Sequence, residues 1–167
     1  MRPGAEGVST YVAVVGSTPC AADQEKIAEE VGRRLAEAGV IVVCGGLGGV
    51  MEAACRGAKS AGGTTVGLLP GERRADANAW LDIALPTGLG EARNALVVRA
   101  ADAVIAVGGE FGTLSEIALA LKIGVPVVGI GSWELARNGR RTDSYPQVGG
   151  ASEGVELALG LARRSPA

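Results

Sequence analysis

The chain has 167 residues, 47% of them apolar but only 3% aromatic, which fits a single domain with a core of Val, Ile, Leu and Ala. Its net charge of −2 and pI of about 5.3 exclude the basic surface that general nucleic-acid binding requires. It has no histidine, and its three cysteines match neither a zinc site nor a CxxC motif, so we expect no metal site.

The N-terminal residues 1–10 are polar and contain glycine, and we expect them to be flexible and to precede one domain over residues 11–167. No apolar run reaches the length of a membrane span, and the N-terminus lacks the regions of a signal peptide. Cys44 and Cys55 fit small buried side chains in a reducing compartment. We therefore expect a cytoplasmic protein without membrane contact.

Short apolar runs alternate with segments of helical period along the chain. The predicted strands are residues 11–15, 40–44, 64–69, 83–85, 103–107 and 126–130. The predicted helices are residues 22–38, 49–61, 89–101, 113–123 and 152–164. Continuous Val and Ile runs are typical of strands that are buried on both faces. The alternation predicts an α/β fold, a doubly wound, Rossmann-like parallel sheet with helices on both faces.

Two longer stretches are predicted to be loops. Residues 71–79 are a candidate lid. Residues 131–150 carry Trp133 and several arginines, which we interpret as a solvated surface loop. A specificity loop or lid is the alternative for this second stretch.

Four turns follow predicted strands and should converge, because ligands of open parallel sheets bind beyond the carboxyl ends of the strands. These turns are residues 16–18, 45–49, 70–71 and 108–113. The candidate ligand-binding residues within them are Gly16, Ser17, Gly45, Gly46, Gly48, Gly108, Gly109, Gly112 and Thr113. No GxGxxG motif follows the first strand, which disfavours a dinucleotide-dependent dehydrogenase. The 45–49 loop fits ligand contact and a tight strand-to-helix turn equally well, and both interpretations can hold.

The turn 108–113 lies between a predicted buried strand and the predicted helix 113–123. Glycines let the backbone approach an oxyanion, and the first free N–H groups of the helix point toward it along the positive end of the dipole. This order of elements therefore predicts a ligand that carries a phosphate group.

Glu116 lies one helical turn beyond this predicted anion site. Thr113 and Glu116 have the spacing of a capping box, in which Glu116 would bond back to the Thr113 amide. The alternative is a functional carboxylate, because Glu116 and Lys122 are the only charges on an otherwise apolar helix. Both interpretations remain open at this stage.

Arg93 falls on the apolar, inward face of the predicted helix 89–101, together with Leu89 and Leu96. A helix N-terminus also disfavours a cation. We therefore interpret Arg93 as functional, the alternative being an arginine whose stem packs while its head reaches solvent. Asn94, on the flank, is a candidate for a hydrogen bond to a ribose or a base.

The segment 108–116 resembles the PGGxGTxxE motif of the LONELY GUY family, with Val107 in place of the proline, and the 45–49 loop is similar to that family's first glycine-rich loop. The resemblance implies a homodimer or higher homo-oligomer that hydrolyses the N-glycosidic bond of nucleoside 5′-monophosphates. It implies Arg93 and Glu116 as the catalytic pair. It places the phosphate on Gly108, Gly109, Gly112 and Thr113, with no cofactor required.

A second resemblance covers residues 57–65, 87–93 and 116–122, which are similar to the molybdenum cofactor carrier proteins. These are non-enzymatic proteins of the same fold that hold a phosphate-bearing pterin. Asn94 stands where the hydrolases have lysine and so departs from their pattern. The two resemblances imply either a phosphoribohydrolase acting on a nucleoside monophosphate or a carrier whose ligand is the molybdenum cofactor.

Overall fold

The computed structural model describes residues 9–163. The strands are β1 (Tyr11–Gly16), β2 (Ile41–Cys44), β3 (Thr65–Leu69), β4 (Ile83–Pro86), β5 (Ala103–Val107), β6 (Val127–Ile130), β7 (Ala136–Arg137), β8 (Arg140–Arg141) and β9 (Gln147–Val148). The helices are α1 (Ala22–Glu37), α2 (Val50–Ser60), α3 (Asn94–Arg99), α4 (Phe111–Ile123) and α5 (Ala151–Ala162). The expected flexible segment 1–10 lies outside the described residues, apart from residues 9 and 10.

Seven of the strands form one parallel sheet in the order β4-β3-β2-β1-β5-β6-β9. The chain moves outward from β1 to β4 and then returns to the other side of β1 with β5. This reversal creates a switch point between β1 and β5. The predicted doubly wound, single-domain α/β fold is confirmed.

The core lies in two layers, one on each face of the sheet. Along β1, Val12 and Val14 pack with α1, α2 and α5, whereas Ala13 and Val15 pack with α3 and α4. Because successive side chains of a strand point to opposite faces, this pattern explains why the strand is a continuous apolar run.

Three sequence predictions need correction at their boundaries. The predicted helix 89–101 is a 3₁₀ turn over Gly90–Arg93 followed by the six-residue helix α3. Helix α4 begins at Phe111, before the predicted start at residue 113. The predicted loop 131–150 contains the antiparallel hairpin of β7 and β8, and it also contains β9, which extends the sheet beyond β6. The 71–79 loop is a loop as predicted, with one exposed 3₁₀ turn.

Two of the cysteines are packed inside the protein, as predicted. Cys44 and Cys55 are fully buried, with their Sγ atoms 3.5 Å apart, and they pack with Met51. The hydrogen bond between the thiols, together with burial, raises the pKa of Cys55. In the described part of the chain, no three His, Cys, Asp or Glu side chains are placed to hold a metal ion. No helix there is long and apolar enough to cross a membrane.

Candidate ligand-binding cleft

A cleft of about 560 Å³ opens at the carboxyl edge of the sheet, beside the switch point. All four turns that were predicted to converge contribute to its lining: residues 16–18, Leu47, Pro70 and the start of α4. Arg93, Asn94 and Glu116 also line the cleft, together with Met51, Gly90, Glu91 and Ser115. The sequence therefore located the cleft correctly from the ends of the strands.

The N-terminus of α4 presents free amide groups to this cleft. The first hydrogen bond of the helix runs from the Leu114 amide to the Glu110 carbonyl. The amides of Phe111, Gly112 and Thr113 therefore have no partner in the helix ladder, and no side chain caps this end. Free N–H groups at the positive end of a helix dipole bind anions.

The glycines before α4 differ in what they do. Gly108 and Gly109 have positive φ angles of 55° and 114°, and a Cβ atom on them would collide with Gln24 and Thr113, respectively. These two residues therefore shape the turn. A Cβ atom on Gly112 would meet nothing within 4 Å, so Gly112 is the glycine that faces open space.

The glycines after β2 pack against neighbouring side chains. A Cβ atom on Gly45 would lie 1.9 Å from Nη1 of Arg93, and one on Gly46 would lie 2.6 Å from Leu69. Gly48 lies beside Thr18, whose hydroxyl donates to the Gly48 carbonyl over 2.8 Å. The tight-packing interpretation of this loop is confirmed. Ligand contact by these glycines stays a prediction.

The turn after β1 is anchored to α2. The Val50 amide donates to the Ser17 carbonyl over 3.2 Å, and a Cβ atom on Gly16 would collide with the Val50 side chain. Gly16 and Ser17 both line the cleft. Their contact with a ligand remains a prediction.

Arg93 is held inside the protein, as predicted, but it lies in a 3₁₀ turn and not on an inward helical face, since Leu89 and Leu96 of that predicted face are exposed. The residue is only 7% exposed, and its buried Nε atom has no hydrogen-bond partner. Burial lowers the pKa of the guanidinium, while the nearby Glu116 carboxylate opposes that effect. Gly45 provides the space in which the guanidinium lies. A buried cation with an unused donor beside a cleft is suited to receiving an anionic ligand.

Glu116 is also 7% exposed, and it lines the cleft. Burial raises its pKa to about 7, and the charge of Arg93 limits that rise. No ion pair within 4.0 Å joins the two groups among the described residues. The capping-box interpretation is wrong, because α4 begins at Phe111 with Glu110 as its N-cap and Thr113 lies within the helix.

Asn94 links the start of α3 to the start of α4 beside the cleft. Its Nδ2 atom donates to Ser115 Oγ over 2.9 Å, and Ser115 donates in turn to the Gly112 carbonyl over 2.7 Å. The amide thus holds the start of α3 against the start of α4. Its predicted bond to a ligand is untested, and one of its donors is already used.

Sequence reasoning missed one aromatic contact at this site. Phe111 is 75% exposed and lines the cleft, and its ring centroid lies 5.5 Å from that of Trp133. The signal was present, because Phe111 is the only phenylalanine of the chain and lies within the predicted turn 108–113, between Gly109 and Gly112. Trp133 comes from the 131–150 segment, whose position against α4 the sequence does not reveal.

The fold and the cleft define a Rossmann-like α/β protein with a candidate ligand-binding site at its switch point. The chain belongs to the SLOG cluster4 family, whose model matches residues 9–155. A relative from Archaeoglobus fulgidus, described as an uncharacterized protein, is 47% identical over 120 residues, covering 71% of this chain and 78% of the relative.

Two solved structures are similar over nearly their whole length. The molybdenum cofactor binding protein from the phototrophic bacterium Rippkaea orientalis is 33% identical, with 92% of this chain and 98% of that chain covered and a TM-score of 0.82. The Moco carrier protein from Chlamydomonas reinhardtii is 30% identical, with 95% and 100% covered and a TM-score of 0.82. The structural likeness to molybdenum cofactor carriers is therefore shown, whereas the LONELY GUY assignment stays a prediction.

Proposed function

We propose that this protein binds the molybdenum cofactor, a phosphorylated pterin, in the cleft at the carboxyl edge of the sheet, and that it carries the cofactor without turnover. The observation that carries this proposal is the full-length likeness to two structures that are named for binding or carrying that cofactor. Both structures are at least 30% identical in sequence to this chain, so the likeness extends beyond the fold.

The cleft suits the two chemical parts of such a ligand. The free amides of Phe111, Gly112 and Thr113 are the natural partners of its phosphate, and Arg93 supplies a positive charge whose Nε atom has no hydrogen-bond partner. The remaining lining includes Leu47 and Met51, which suit the flat face of a heterocycle. In this role the chain's residues bind, orient and shield the ligand.

The proposal is tested by capture of the authentic cofactor. Molybdenum cofactor released from a denatured molybdoenzyme is mixed with the purified protein and passed through a gel-filtration column. The pterin is then oxidised to its fluorescent form and measured in each fraction. We expect it to elute with the protein, at about one pterin per chain. Pterin that elutes only in the small-molecule fractions contradicts the proposal.

A second candidate, hydrolysis of a nucleoside 5′-monophosphate, is favoured by one observation. Arg93 and Glu116 are buried side by side in the cleft, and the pKa of Glu116 lies at about 7. A carboxylate in such a place can stabilise an oxocarbenium-like transition state at the ribose. The hydrolase motif resemblance points to the same pair.

The two functions separate in one assay. Protein incubated with AMP for several hours releases free adenine if it is a hydrolase and none if it is a carrier. If adenine appears, Glu116→Gln should reduce turnover about 100-fold while AMP affinity changes little, because the variant keeps the shape and removes the charge. A fully active Glu116→Gln variant would show that another group performs the chemistry.

A further inference from the structure

We infer that Phe111, supported by Trp133, is the stacking surface for the flat ring system of the ligand, so that this aromatic pair selects a heterocyclic phosphate over a simple phosphate. The inference rests on the proposed function, and it names the residue that recognises the part of the ligand beyond the phosphate. The juxtaposition that carries it is an exposed aromatic ring placed directly beside an anion site.

The exposure of Phe111 calls for a physical reason. Single apolar side chains on a surface are common, but Phe111 is 75% exposed at the first position of a helix that lines the cleft. Its own amide is one of the free donors of the anion site. A ligand whose phosphate is bound at these amides therefore has the Phe111 ring within reach of its next group.

The ring of Phe111 is held in place by its neighbour. The ring centroids of Phe111 and Trp133 are 5.5 Å apart with an interplanar angle of 38°, within the range of favourable aromatic pairs. The indole N–H of Trp133 donates to the Glu110 carbonyl over 3.3 Å. Trp133 therefore contacts both the Phe111 ring and Glu110, the N-cap residue of α4.

Trp133 is itself anchored to the edge of the sheet. Its carbonyl accepts hydrogen bonds from the Tyr145 hydroxyl and, over 2.8 Å, from the amide group of Gln147, a residue of β9. The 131–150 segment, which was predicted to be a solvated loop, is therefore held in place by hydrogen bonds at Trp133. A rigid aromatic surface binds a flat ring with little loss of conformational freedom.

The chemistry identifies the ligand class. An aromatic face stacks any flat heterocycle and provides no pattern of hydrogen bonds that would distinguish one ring from another. The pair therefore fits a pterin or a purine that bears a phosphate ester. A ligand that offers the phosphate alone gains no affinity from the pair, since it would leave the Phe111 ring in water.

The test compares a phosphate with a ring and one without. 6-Hydroxymethylpterin monophosphate and inorganic phosphate are titrated against wild type, Phe111→Ala and Phe111→Tyr by calorimetry. We expect Phe111→Ala to weaken the pterin ester about tenfold or more, the order of affinity that one stacked ring contributes. Phosphate affinity should stay the same, and Phe111→Tyr should retain wild-type affinity for both. Tyr11→Ala, which truncates an exposed aromatic ring at the opposite end of β1, is the matched control and should change neither affinity.

A second readout monitors the aromatic pair directly. In a Trp80→Phe background Trp133 is the only tryptophan, and a stacked pterin should quench its fluorescence, whereas inorganic phosphate should not. Equal affinity of wild type and Phe111→Ala for the pterin ester, with no quenching, would overturn the inference and leave the proposed function standing. Failure of wild type to bind either compound would instead remove the proposed function, and this inference with it.

Discussion

Substitution of Gly112 should weaken ligand binding without reducing the stability of the fold. Its missing Cβ atom faces open space at the start of α4, so Gly112→Ala adds a methyl group to the anion site without a collision inside the protein. We expect phosphate binding to weaken at least about tenfold, because loss of a hydrogen bond to a charged group costs about 1.5–3 kcal/mol. The melting temperature should be unchanged or higher, since alanine favours a helix over glycine.

A matched control for this experiment lies in another helix. Gly160 in α5 also has nothing within 4 Å of its missing Cβ atom, and it lies outside the cleft, so Gly160→Ala should leave phosphate affinity unchanged. Gly109→Val is a poorer probe than Gly112→Ala. Its positive φ angle and its contact with Thr113 would strain the fold as well as the site. Undiminished phosphate affinity in Gly112→Ala would place the anion elsewhere.

Glu116 should make stability depend on pH. Its pKa rises from an ordinary 4.5 to about 7 in the folded protein, so between these values the native state binds more protons than the unfolded state. The contribution of Glu116 to the free energy of unfolding is therefore complete below pH 4.5. It decreases as the pH rises to 7, by about 3 kcal/mol in total. Urea unfolding at pH 5 and pH 8 should show this loss in wild type and a much smaller one in Glu116→Gln. Parallel pH profiles for the two proteins would refute the assignment.

The individual residues also show how far sequence alone can reach. The burial of Glu116 followed from the apolar surroundings of α4. Arg93 is buried as predicted, but the predicted helical face is wrong, because Arg93 lies in a 3₁₀ turn and Leu89 and Leu96 of that face are exposed. The start of α4 could not be predicted correctly from the sequence. Thr113 and Glu116 have the spacing of a capping box, whereas the actual N-cap residue, Glu110, makes no side-chain capping bond that a sequence pattern could indicate.

At the scale of elements, the loop after β2 acts on the site through Arg93. A Cβ atom on Gly45 would lie 1.9 Å from Nη1 of Arg93 and 2.8 Å from Sδ of Met51, both near the ends of flexible side chains that can be displaced. Gly45→Ala should therefore move Arg93 out of its position and weaken phosphate binding several-fold, with little change in melting temperature. Titration with inorganic phosphate measures the effect. A Gly45→Ala variant with wild-type affinity would show that Arg93 does not contribute from its buried position.

The sequence predicted the longer strands correctly and missed the strands that pair over only two residues. The strands β1, β2, β3, β5 and β6 are apolar runs of four or more residues, and the sequence predicted each of them. Strand β9 is only Gln147 and Val148, flanked by proline and glycine, and it exists because β6 offers an open edge. A strand that forms only because the edge of another strand is available has no recognisable hydrophobic pattern in its own sequence.

At the scale of the whole molecule, the exposed apolar side chains predict self-association. Ile83, Leu85, Leu89 and Leu96 are between 38% and 52% exposed, along the stretch from β4 to α3. Helix α4 also carries more apolar residues than one buried face requires. We predict a homodimer or higher homo-oligomer at micromolar concentration, which light scattering would detect. Leu96→Asp should shift it toward monomer, and a monomeric wild type would contradict the prediction.

The ligand that occupies the cleft in the cell distinguishes a carrier from a hydrolase. Native mass spectrometry of the protein, purified from a host that synthesises the molybdenum cofactor, measures this directly. We predict that a fraction of wild-type chains carries the added mass of a phosphorylated pterin, and that Gly112→Ala carries less. A wild-type protein that retains a nucleoside monophosphate or its hydrolysis products, and never a pterin, would contradict the carrier function.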